Sequence, residues 1–255
     1  MLGLEVPDEF TFLVQVTPVG VYHGVKAVAA LILEEFDRTA PRGTGNAKIG
    51  GNYAPVLRHS HGARREGYGI TLHLDSGTRS EIDEFSTSGF VGVKKRLKDK
   101  GKEKGGAGGG EGGDWDEERD GYTIVIPDSE RAIKSVTSDS ACEIARSFGW
   151  EVVRRPVKYE ELPEFSEVIA VGTAATMVPI KSITMRSKND KFIYQNESEE
   201  PGPACMKLLT TLKGIQNGKL EDKFGWRVEV EEAKGFELEQ QSEQTNGSID
   251  KVQAL

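Results

Sequence analysis

Cysteine, aromatic residues and long apolar runs are scarce in this 255-residue chain. It has two cysteines, Cys142 and Cys205, and no CxxC pair, so a disulfide framework is not expected and a reducing compartment is. The expected location is the cytoplasm, or the mitochondrion if a targeting segment precedes this sequence. No run approaches the ~18 apolar residues of a membrane span, and the net charge of −8 argues against a nucleic-acid binder. We therefore expect neither a membrane nor a nucleic acid as partner.

Histidine is also scarce, with four residues, and their spacing does not suit a metal site. His59 and His61 are two apart, so on a helix they point to different faces. His23 and His73 have no Cys, His or acidic partner at ligand spacing. No metal site is predicted.

The sequence does have an apolar content of 36%, enough for a core over most of its length. Apolar and β-branched runs predict strands at residues 10–16, 69–74, 90–93, 122–127, 150–153 and 168–170. Helices are predicted at residues 54–66, 137–148 and 203–216 and a helical turn at 159–162. Ser138 is expected to cap the second helix and Gly149 to end it. Residues 25–33 predict a strand or a short helix, and the mixture of elements indicates an α/β or α+β class.

Two segments are too polar to bury a core. Residues 94–120 are basic, then glycine-rich, then acidic, which predicts a flexible surface insertion. Residues 227–255 predict a disordered polar tail. The rest of residues 1–226 is expected to form one domain, interrupted by the insertion.

The most informative stretch is RGTGNAKIGGNYAP, residues 42–55, in which glycines crowd around Lys48. A nucleotide-binding P-loop needs GxxxxGK followed by Ser or Thr, because that hydroxyl holds magnesium. Ile49 follows the lysine here and the glycine spacing differs, so the P-loop pattern fails. Spacing alone leaves two interpretations open, a solvated surface lysine and a covalent anchor.

Several separated motifs, in one order, resemble those of the branched-chain aminotransferases, which are pyridoxal-phosphate enzymes of fold type IV. The lysine segment KIGGNYAPVLRHSHGARREGY carries this likeness, together with PRGTGNA before it. The further motifs are EFSTSGF at 84–90, IKSVTSDSACEIA at 133–145, VGTAATMVPI at 171–180 and LTTLKGIQNGKLEDKFGW at 209–226. The resemblance covers roughly residues 2–226, apart from the insertion.

The resemblance implies the large domain of a class IV aminotransferase, with a β-barrel-like sheet and flanking helices. It implies pyridoxal 5′-phosphate as cofactor and transfer of an amino group between leucine, isoleucine or valine and 2-oxoglutarate. The partners would be these small molecules and a second copy of the chain in a homodimer. Family members carry a smaller domain before the segment that opens this sequence, so we expect that domain to be absent here.

Two alternative functions stay open beside this one. A truncated, catalytically impaired relative or a fragment would only bind the cofactor or a partner subunit. A class IV transaminase with the same fold would act on other amino acids, D-amino acids or amines.

The resemblance also assigns the residues around the cofactor ring. Lys48 would form the Schiff base and, once released, act as general base. Tyr53 would meet the phenolic oxygen of the cofactor. Glu84 would face the pyridine nitrogen and keep it protonated, so that the ring withdraws electrons. Glu81 and Asp83 lie close by, and the alignment of EFSTSGF with the family's E-x-x-T-x-N-F selects Glu84.

For the cofactor phosphate, the resemblance points to the backbone amides of Val136 and Thr137. They stand at a helix start, which suits an anion. Ser135 replaces the family's glycine there, which requires a negative φ. Thr173, in the GTA tripeptide, is expected to add its hydroxyl and amide.

The remaining assignments concern the cofactor motif and the substrate. Thr87 keeps its place in the cofactor-binding motif. Gly89 stands where the family usually has asparagine, which would loosen the hairpin around Glu84. The Ala174 amide is expected at the substrate carboxylate, and Tyr22 at the mouth of the substrate pocket.

Overall fold

The computed structural model describes residues 8–15, 26–96 and 121–229, and one mixed sheet runs through this part of the chain. Its strands are β1 Val28–Ile32, β2 Ile70–Leu74, β3 Ile82–Phe85, β4 Gly89–Lys95, β5 Tyr122–Pro127, β6 Glu151–Arg155, β7 Glu167–Gly172, β8 Thr176–Met185 and β9 Asp190–Ile193. The strands lie in the order β3-β2-β1-β8-β7-β4-β5-β6, with β9 beside β8.

Strand directions are mixed, as the α/β class with a barrel-like sheet requires. β1 runs parallel to both β2 and β8, and β5 runs parallel to β6. The other neighbouring strands are antiparallel. In the β4–β7 pair Gly89 lies opposite Val171, so the start of β4 meets the end of β7. The turns that precede β4 and follow β7 are therefore brought to the same edge of the sheet.

Three helices flank the sheet within the described residues: α1 Val56–Arg65, α2 Val136–Ser147 and α3 Pro203–Gln216. Shorter 3-10 turns occupy Gly50–Asn52, Tyr159–Glu164 and Gln195–Glu197. None of these helices is long and apolar enough to cross a membrane.

The starts of α2 and α3 are held by side chains that accept from backbone amides, whereas α1 has no such cap. Ser135, and not Ser138 as the sequence predicts, caps α2: its hydroxyl accepts from the Ser138 amide at 3.1 Å. Ser138 itself is buried in the first turn. For α3 the cap comes from β7, where the Glu167 carboxylate accepts from the Ala204 and Cys205 amides at 2.9 Å each. That contact ties α3 to the sheet.

Apolar side chains form two clusters on opposite faces of the sheet. Along β7, Val168 and Ala170 point into one cluster, whereas Ile169 and Val171 point into the other. This alternation is the period-2 geometry of a strand buried on both faces. The second cluster is covered by α2 and α3 and contains both cysteines, which are buried and unpaired.

The structure confirms most of the sequence-predicted elements and corrects two. Residues 10–15 are irregular rather than a strand, because they pair with none of the described strands and leave Phe12 91% exposed. The predicted insertion at 94–120 begins too early. Lys94 and Lys95 belong to β4 because they pair with Thr123 and Tyr122 of β5. Residues 97–120 of that insertion and 230–255 of the predicted tail lie outside the described residues.

Candidate active site

The loop that carries Lys48 is held in place by its own backbone and by Asn52. The buried Asn52 amide donates to the carbonyl oxygens of Thr44, at 2.7 Å, and Ala47, at 2.8 Å. Gly45 packs so closely against the Arg131 carbonyl and the side chain of Thr39 that a Cβ would collide with both. Glycine at position 45 is therefore required by a close approach of two backbone segments.

Lys48 and Tyr53 face each other across this loop. The Lys48 amine donates to the Tyr53 hydroxyl at 2.8 Å and lies 4.9 Å from the centre of the tyrosine ring. Both border a cavity of about 300 Å³, a size typical of small-molecule sites. Within the described residues its lining is Val28, Lys48, Tyr53, Ser60, Arg64, Gly69, Ile70, Thr71, Ser86, Thr87, Ser88, Gly172, Ala174, Ala175 and Val178.

Glu84, on β3, forms a buried ion pair with Arg38. Their side chains are 6% and 3% exposed, and the Ile133 amide donates to the carboxylate at 3.4 Å. Burial raises the pKa of the Glu84 carboxyl to about 7, while the Arg38 guanidinium and, more weakly, the Lys48 amine act to lower it. The buried Glu84 carboxyl therefore takes up a proton more readily than a glutamate in solvent does.

The two neighbouring acids are engaged elsewhere. Asp83 is held by Arg131, whose guanidinium reaches it at 3.1 Å, and by the Ser129 hydroxyl at 2.6 Å. Glu81 forms a backbone bridge with Lys158 and stands outside the cavity lining. Glu84, like Glu81, stands outside the cavity lining, and its selection from the sequence motif stays a prediction.

Helix α2 begins beside the hairpin that carries Thr87. A Cβ built on Gly89 would come within 3.0 Å of the Ser138 hydroxyl, so the first turn of α2 fills the space next to this glycine. The hairpin keeps its own bond, from the Phe85 amide to the Ser88 carbonyl at 2.9 Å. The loosening expected from Gly89 stays a prediction.

The first amides of α2 are available for an anion. Ser135 has φ −96°, the negative value that the sequence comparison requires. Among the described residues, the amides of Val136 and Thr137 have no hydrogen-bond partner. Unpaired amides at the start of a 12-residue helix suit a phosphate.

The GTA tripeptide forms the turn between β7 and β8. Its Thr173 and Ala174 are exposed, and the turn closes at Thr176, whose φ of +60° is a left-handed conformation unusual for threonine. A Cβ on Gly172 would lie 3.2 Å from the Ser88 hydroxyl, so the turn adjoins the same hairpin that touches α2. The hairpin thus connects the two expected phosphate contacts.

The sequence-predicted residues consequently fall into three groups. Those that line one cavity are Lys48, Tyr53, Thr87 and Ala174. Those that stand outside the lining are Glu84, two residues before the lining residue Ser86, Val136 and Thr137 at the start of α2, and Thr173, between the lining residues Gly172 and Ala174. Tyr22 lies outside the described residues.

Arg38 is a site residue that the sequence motifs do not reveal. Besides pairing with Glu84, its guanidinium donates to the carbonyl oxygens of Gly45, at 2.9 Å, and Arg131, at 3.2 Å. No sequence signal links Arg38 to Glu84, because the two are 46 positions apart. In the FDRTAP stretch before the lysine segment, Arg38 stands next to Asp37, and nothing in that stretch points to Glu84.

A second feature missed from the sequence is a buried polar cluster behind the cavity. The His73 ring nitrogen Nε2 lies 3.0 Å from the Ser86 hydroxyl, which in turn contacts the Thr71 hydroxyl. Burial lowers the pKa of the His73 imidazole to about 3, so it is neutral in the folded protein. Thr71 and Ser86 both line the cavity, and a neutral His73 holds their hydroxyls in position.

This arrangement can hold an aldehyde-bearing aromatic phosphate. It offers a cavity with a lysine amine beside a phenol, a buried carboxyl on β3, and unpaired amides at a neighbouring helix start. These donors suit the reactive carbon, the ring nitrogen and the phosphate of pyridoxal 5′-phosphate, respectively. The residues present therefore fit that cofactor.

Comparison with known proteins shows which family the chain resembles along most of its length. Residues 6–183 match the family model described as amino-transferase class IV. A similar curated relative is the aminotransferase atnJ of Emericella nidulans, 54% identical over 224 residues. That alignment covers 88% of this chain and 59% of the relative, so the chain spans about three fifths of the relative's length.

Solved structures share the fold. The branched-chain amino acid aminotransferase of Escherichia coli matches with a TM-score of 0.59 and 25% identity, over 79% of this chain and 56% of that one. The branched-chain aminotransferase of the thermophilic archaeon Thermoproteus uzoniensis, solved with norvaline, has a TM-score of 0.59 at 23% identity, covering 80% and 56%. The likeness to the Thermoproteus uzoniensis structure, at 23% identity, shows the fold alone.

Proposed function

The chain belongs to the class IV aminotransferase family, whose cofactor is pyridoxal 5′-phosphate, and from that premise we propose that it binds this cofactor and transfers an amino group between an amino acid and a 2-oxo acid. The observation that supports this most directly is the Lys48 amine, placed 2.8 Å from the Tyr53 hydroxyl in a small-molecule cavity. Lys48 is exposed where it borders the cavity, and its amine is directed by the Tyr53 hydroxyl and by the loop that Asn52 holds.

Pyridoxal phosphate, when bound, supplies an aldehyde for an amine and an electron-withdrawing ring. Lys48 Nζ is the nucleophile of this site and, once free, carries the substrate α-proton as general base. Tyr53 Oη holds Nζ in position and presents its hydroxyl to the cofactor oxygen. Both roles need the two side chains on one side of the cavity, where they stand.

Glu84 is proposed to hold the proton of the pyridine nitrogen. With a pKa near 7, the Glu84 carboxyl changes its protonation state easily near neutral pH. The positive charge of Arg38 favours the ionised carboxylate. A carboxylate at that nitrogen stabilises the protonated ring. The phosphate would be bound by the amides of Val136 and Thr137 and by Thr173, which stand around the Ser88–Gly89 hairpin.

The proposed donors are leucine, isoleucine and valine, with 2-oxoglutarate as acceptor. The apolar part of the cavity lining, Val28, Ile70, Ala175 and Val178, suits a branched aliphatic side chain. The structural likeness to branched-chain aminotransferases supports the same choice. We also propose a cytoplasmic homodimer, the assembly typical of this family.

Two alternatives to the branched-chain aminotransferase activity predict different results in the absorbance test described below. A class IV transaminase for other amino acids, D-amino acids or amines would share the cofactor site and differ in the amine that it consumes. Because the chain spans about three fifths of its relatives, a form that binds the cofactor without turnover is the other alternative.

The test is an absorbance spectrum of the purified chain with pyridoxal phosphate, before and after addition of leucine. We expect a near-visible band that disappears as the pyridoxamine form accumulates. A band that responds to another amine and not to leucine would support the alternative of a class IV transaminase for other amino acids, D-amino acids or amines. A band that responds to no amine, or no band, would overturn the proposed activity for this chain.

A further inference from the structure

The segment of residues 129–133, which precedes α2, is attached to β3 by an ion pair. The Arg131 guanidinium donates to both oxygens of the Asp83 carboxylate: Nε lies 3.2 Å from Oδ1 and 3.1 Å from Oδ2, and Nη2 lies 3.1 Å from Oδ1. The Ser129 hydroxyl donates to the same carboxylate at 2.6 Å and accepts from the Arg131 amide at 3.2 Å. The Asp83 side chain is buried, so its donors are groups of the protein rather than solvent.

The backbone of the same segment touches the loop that carries Lys48. The Arg131 carbonyl accepts from the Arg38 guanidinium at 3.2 Å, and that guanidinium also donates to the Gly45 carbonyl at 2.9 Å. A Cβ built on Gly45 would stand only 2.4 Å from the Arg131 carbonyl oxygen. Because the two backbones are packed this closely, a displacement of Arg131 is transmitted to the lysine loop.

Beyond Arg131, the segment reaches the two other groups that are expected at the cofactor. The Ile133 amide lies 3.4 Å from both carboxylate oxygens of Glu84. Helix α2 begins three residues later, and its amides of Val136 and Thr137 have no hydrogen-bond partner in the described part of the chain. The lysine loop, Glu84 and these amides are therefore linked through one segment that Asp83 anchors.

The distances between these three groups matter because pyridoxal phosphate is a small, rigid ligand. Its aldehyde carbon, ring nitrogen and phosphate stand at fixed separations around one aromatic ring. Groups that contact such a ligand bind it tightly together only when their own spacing matches the ligand. A side chain that fixes this spacing can therefore govern affinity without touching the ligand.

We propose that Arg131 is a positioning residue for the cofactor, which through its pairing with Asp83 sets the spacing between the Lys48 loop, Glu84 and the first amides of α2. The inference rests on the proposed cofactor-binding function. Arg131 stands outside the described lining of the cavity, so it acts through these other residues.

The experiment compares two ligands that differ only in the phosphate. The full 255-residue chain is titrated with pyridoxal phosphate and with pyridoxal, and the near-visible absorbance band reports binding. The variants are Arg131→Met, Asp83→Asn and the two combined. Arg155→Met is the matched control, because Arg155 also donates twice to one carboxylate, that of Glu161, at 2.8 and 2.5 Å. Among the described residues, its side chain makes no hydrogen bond to the three groups that Arg131 links.

We expect Arg131→Met to weaken binding of pyridoxal phosphate by about 10- to 100-fold and to weaken binding of pyridoxal much less, since pyridoxal does not use the helix amides. Asp83→Asn should act in the same way. The combined variant should bind no more weakly than Arg131→Met, because both substitutions remove one shared contact. Arg155→Met should change neither affinity.

A second measurement needs no cofactor. Hydrogen exchange of the peptide that spans residues 129–140 should be faster in Arg131→Met than in the parent chain and unchanged in Arg155→Met. Arg131→Lys keeps the charge and one donor, so it should restore part of the protection and part of the affinity. Urea unfolding shows whether each variant is folded under these conditions, and Asp83→Asn, which keeps the shape of the side chain, carries the test if Arg131→Met is not.

Three results would overturn the role of Arg131. They are an unchanged affinity for pyridoxal phosphate in a folded Arg131→Met, an equal loss for the two ligands, and additive losses in the combined variant. An equal loss would mean that Arg131 only supports the fold. Absence of the band in the parent chain would overturn the proposed cofactor binding and this inference together, whereas a parental affinity in Arg131→Met would overturn the inference alone.

Discussion

The Lys48 amine donates to the hydroxyl of Tyr53, five residues further along the chain, at 2.8 Å. The 3-10 turn Gly50–Asn52 between them brings the two side chains to the same side of the loop. Asn52 is buried in that turn and holds its backbone. The reacting amine therefore has a defined direction before any ligand arrives, which makes substitutions at this site interpretable.

Lys48→Ala should abolish both the near-visible absorbance band with pyridoxal phosphate and the amino transfer, because no other amine stands at the Tyr53 hydroxyl in the described cavity. Lys48→Arg is the control that keeps the charge but removes the nucleophile, and it should fail in the same way. The measurement is absorbance together with mass spectrometry after borohydride reduction. Cofactor-dependent activity that persists in Lys48→Ala would contradict the role of Lys48.

Glu84→Gln should keep the absorbance band and slow the leucine-driven change in the spectrum by about 100-fold or more, as expected for loss of a proton-holding group. A glutamine occupies the same space but cannot stabilise a protonated ring nitrogen. Glu81→Gln is the matched control, since Glu81 is three residues away and, among the described residues, is not the carboxylate that pairs with Arg38. If Glu84→Gln reacts at the parental rate while Glu81→Gln is slow, the wrong acid has been assigned.

Glu84 should also make the stability of the folded chain depend on pH. Its pKa rises from 4.5 in the unfolded chain to about 7 in the folded one, so the folded state holds the proton more tightly. This contribution to stability is fully present below pH 4.5 and is lost as the pH rises to about 7. Urea unfolding of the parent chain and Glu84→Gln over this range should show the parent losing stability relative to the variant. If the unfolding free energies of the parent chain and of Glu84→Gln change in parallel with pH, the pKa of Glu84 is not raised by folding.

Arg38→Met should destabilise the chain by about 3 kcal/mol at about pH 8, because it leaves the Glu84 carboxylate buried without its counter-ion. The loss should shrink at about pH 5, where Glu84 takes up a proton. In the double variant Arg38→Met, Glu84→Met part of the stability should return, since no charge is then buried. Denaturant midpoints at the two pH values test this, and an Arg38→Met loss that is independent of pH would refute the coupling.

Gly202→Ala should destabilise the chain by about 1–3 kcal/mol, because the new Cβ would collide with the Glu167 carboxylate that caps α3. Gly62→Ala, in the interior of α1, is the control: nothing lies within 4 Å of its added Cβ, so we expect a gain of about 1 kcal/mol. Both changes in the free energy of unfolding are measured by urea unfolding, and we expect the dependence of that free energy on urea concentration to stay unchanged. Equal effects of the two substitutions would argue against the capping contact.

The parts of the fold with local signals could be predicted from the sequence. Strand β5, Tyr122–Pro127, and helix α3, Pro203–Gln216, were predicted with the observed bounds, because turn residues and proline mark their ends. The predicted strand at 10–16 failed over its described residues, since an apolar run does not specify a pairing strand. The cap of α2 moved from Ser138 to Ser135 because two serines at neighbouring turns are equivalent in the sequence.

The candidate site was predictable only where a motif carries it. Lys48 and Tyr53 belong to one continuous motif, and the structure brings both to one cavity. Arg38 was not predicted, because its significance depends on its pairing with Glu84, 46 positions further along the chain. Such relationships arise from tertiary packing, which a single sequence does not display.

The guanidinium of Arg38 joins three parts of the chain that are far apart in sequence: the lysine loop at Gly45, strand β3 at Glu84 and the segment before α2 at Arg131. Ordering a loop of this kind has a cost in conformational entropy of about 1–2 kcal/mol per residue. Because Arg38 and Asn52 fix the loop during folding, that entropy is lost before a ligand binds. Association with a ligand then requires little further ordering of the backbone that holds the reactive amine.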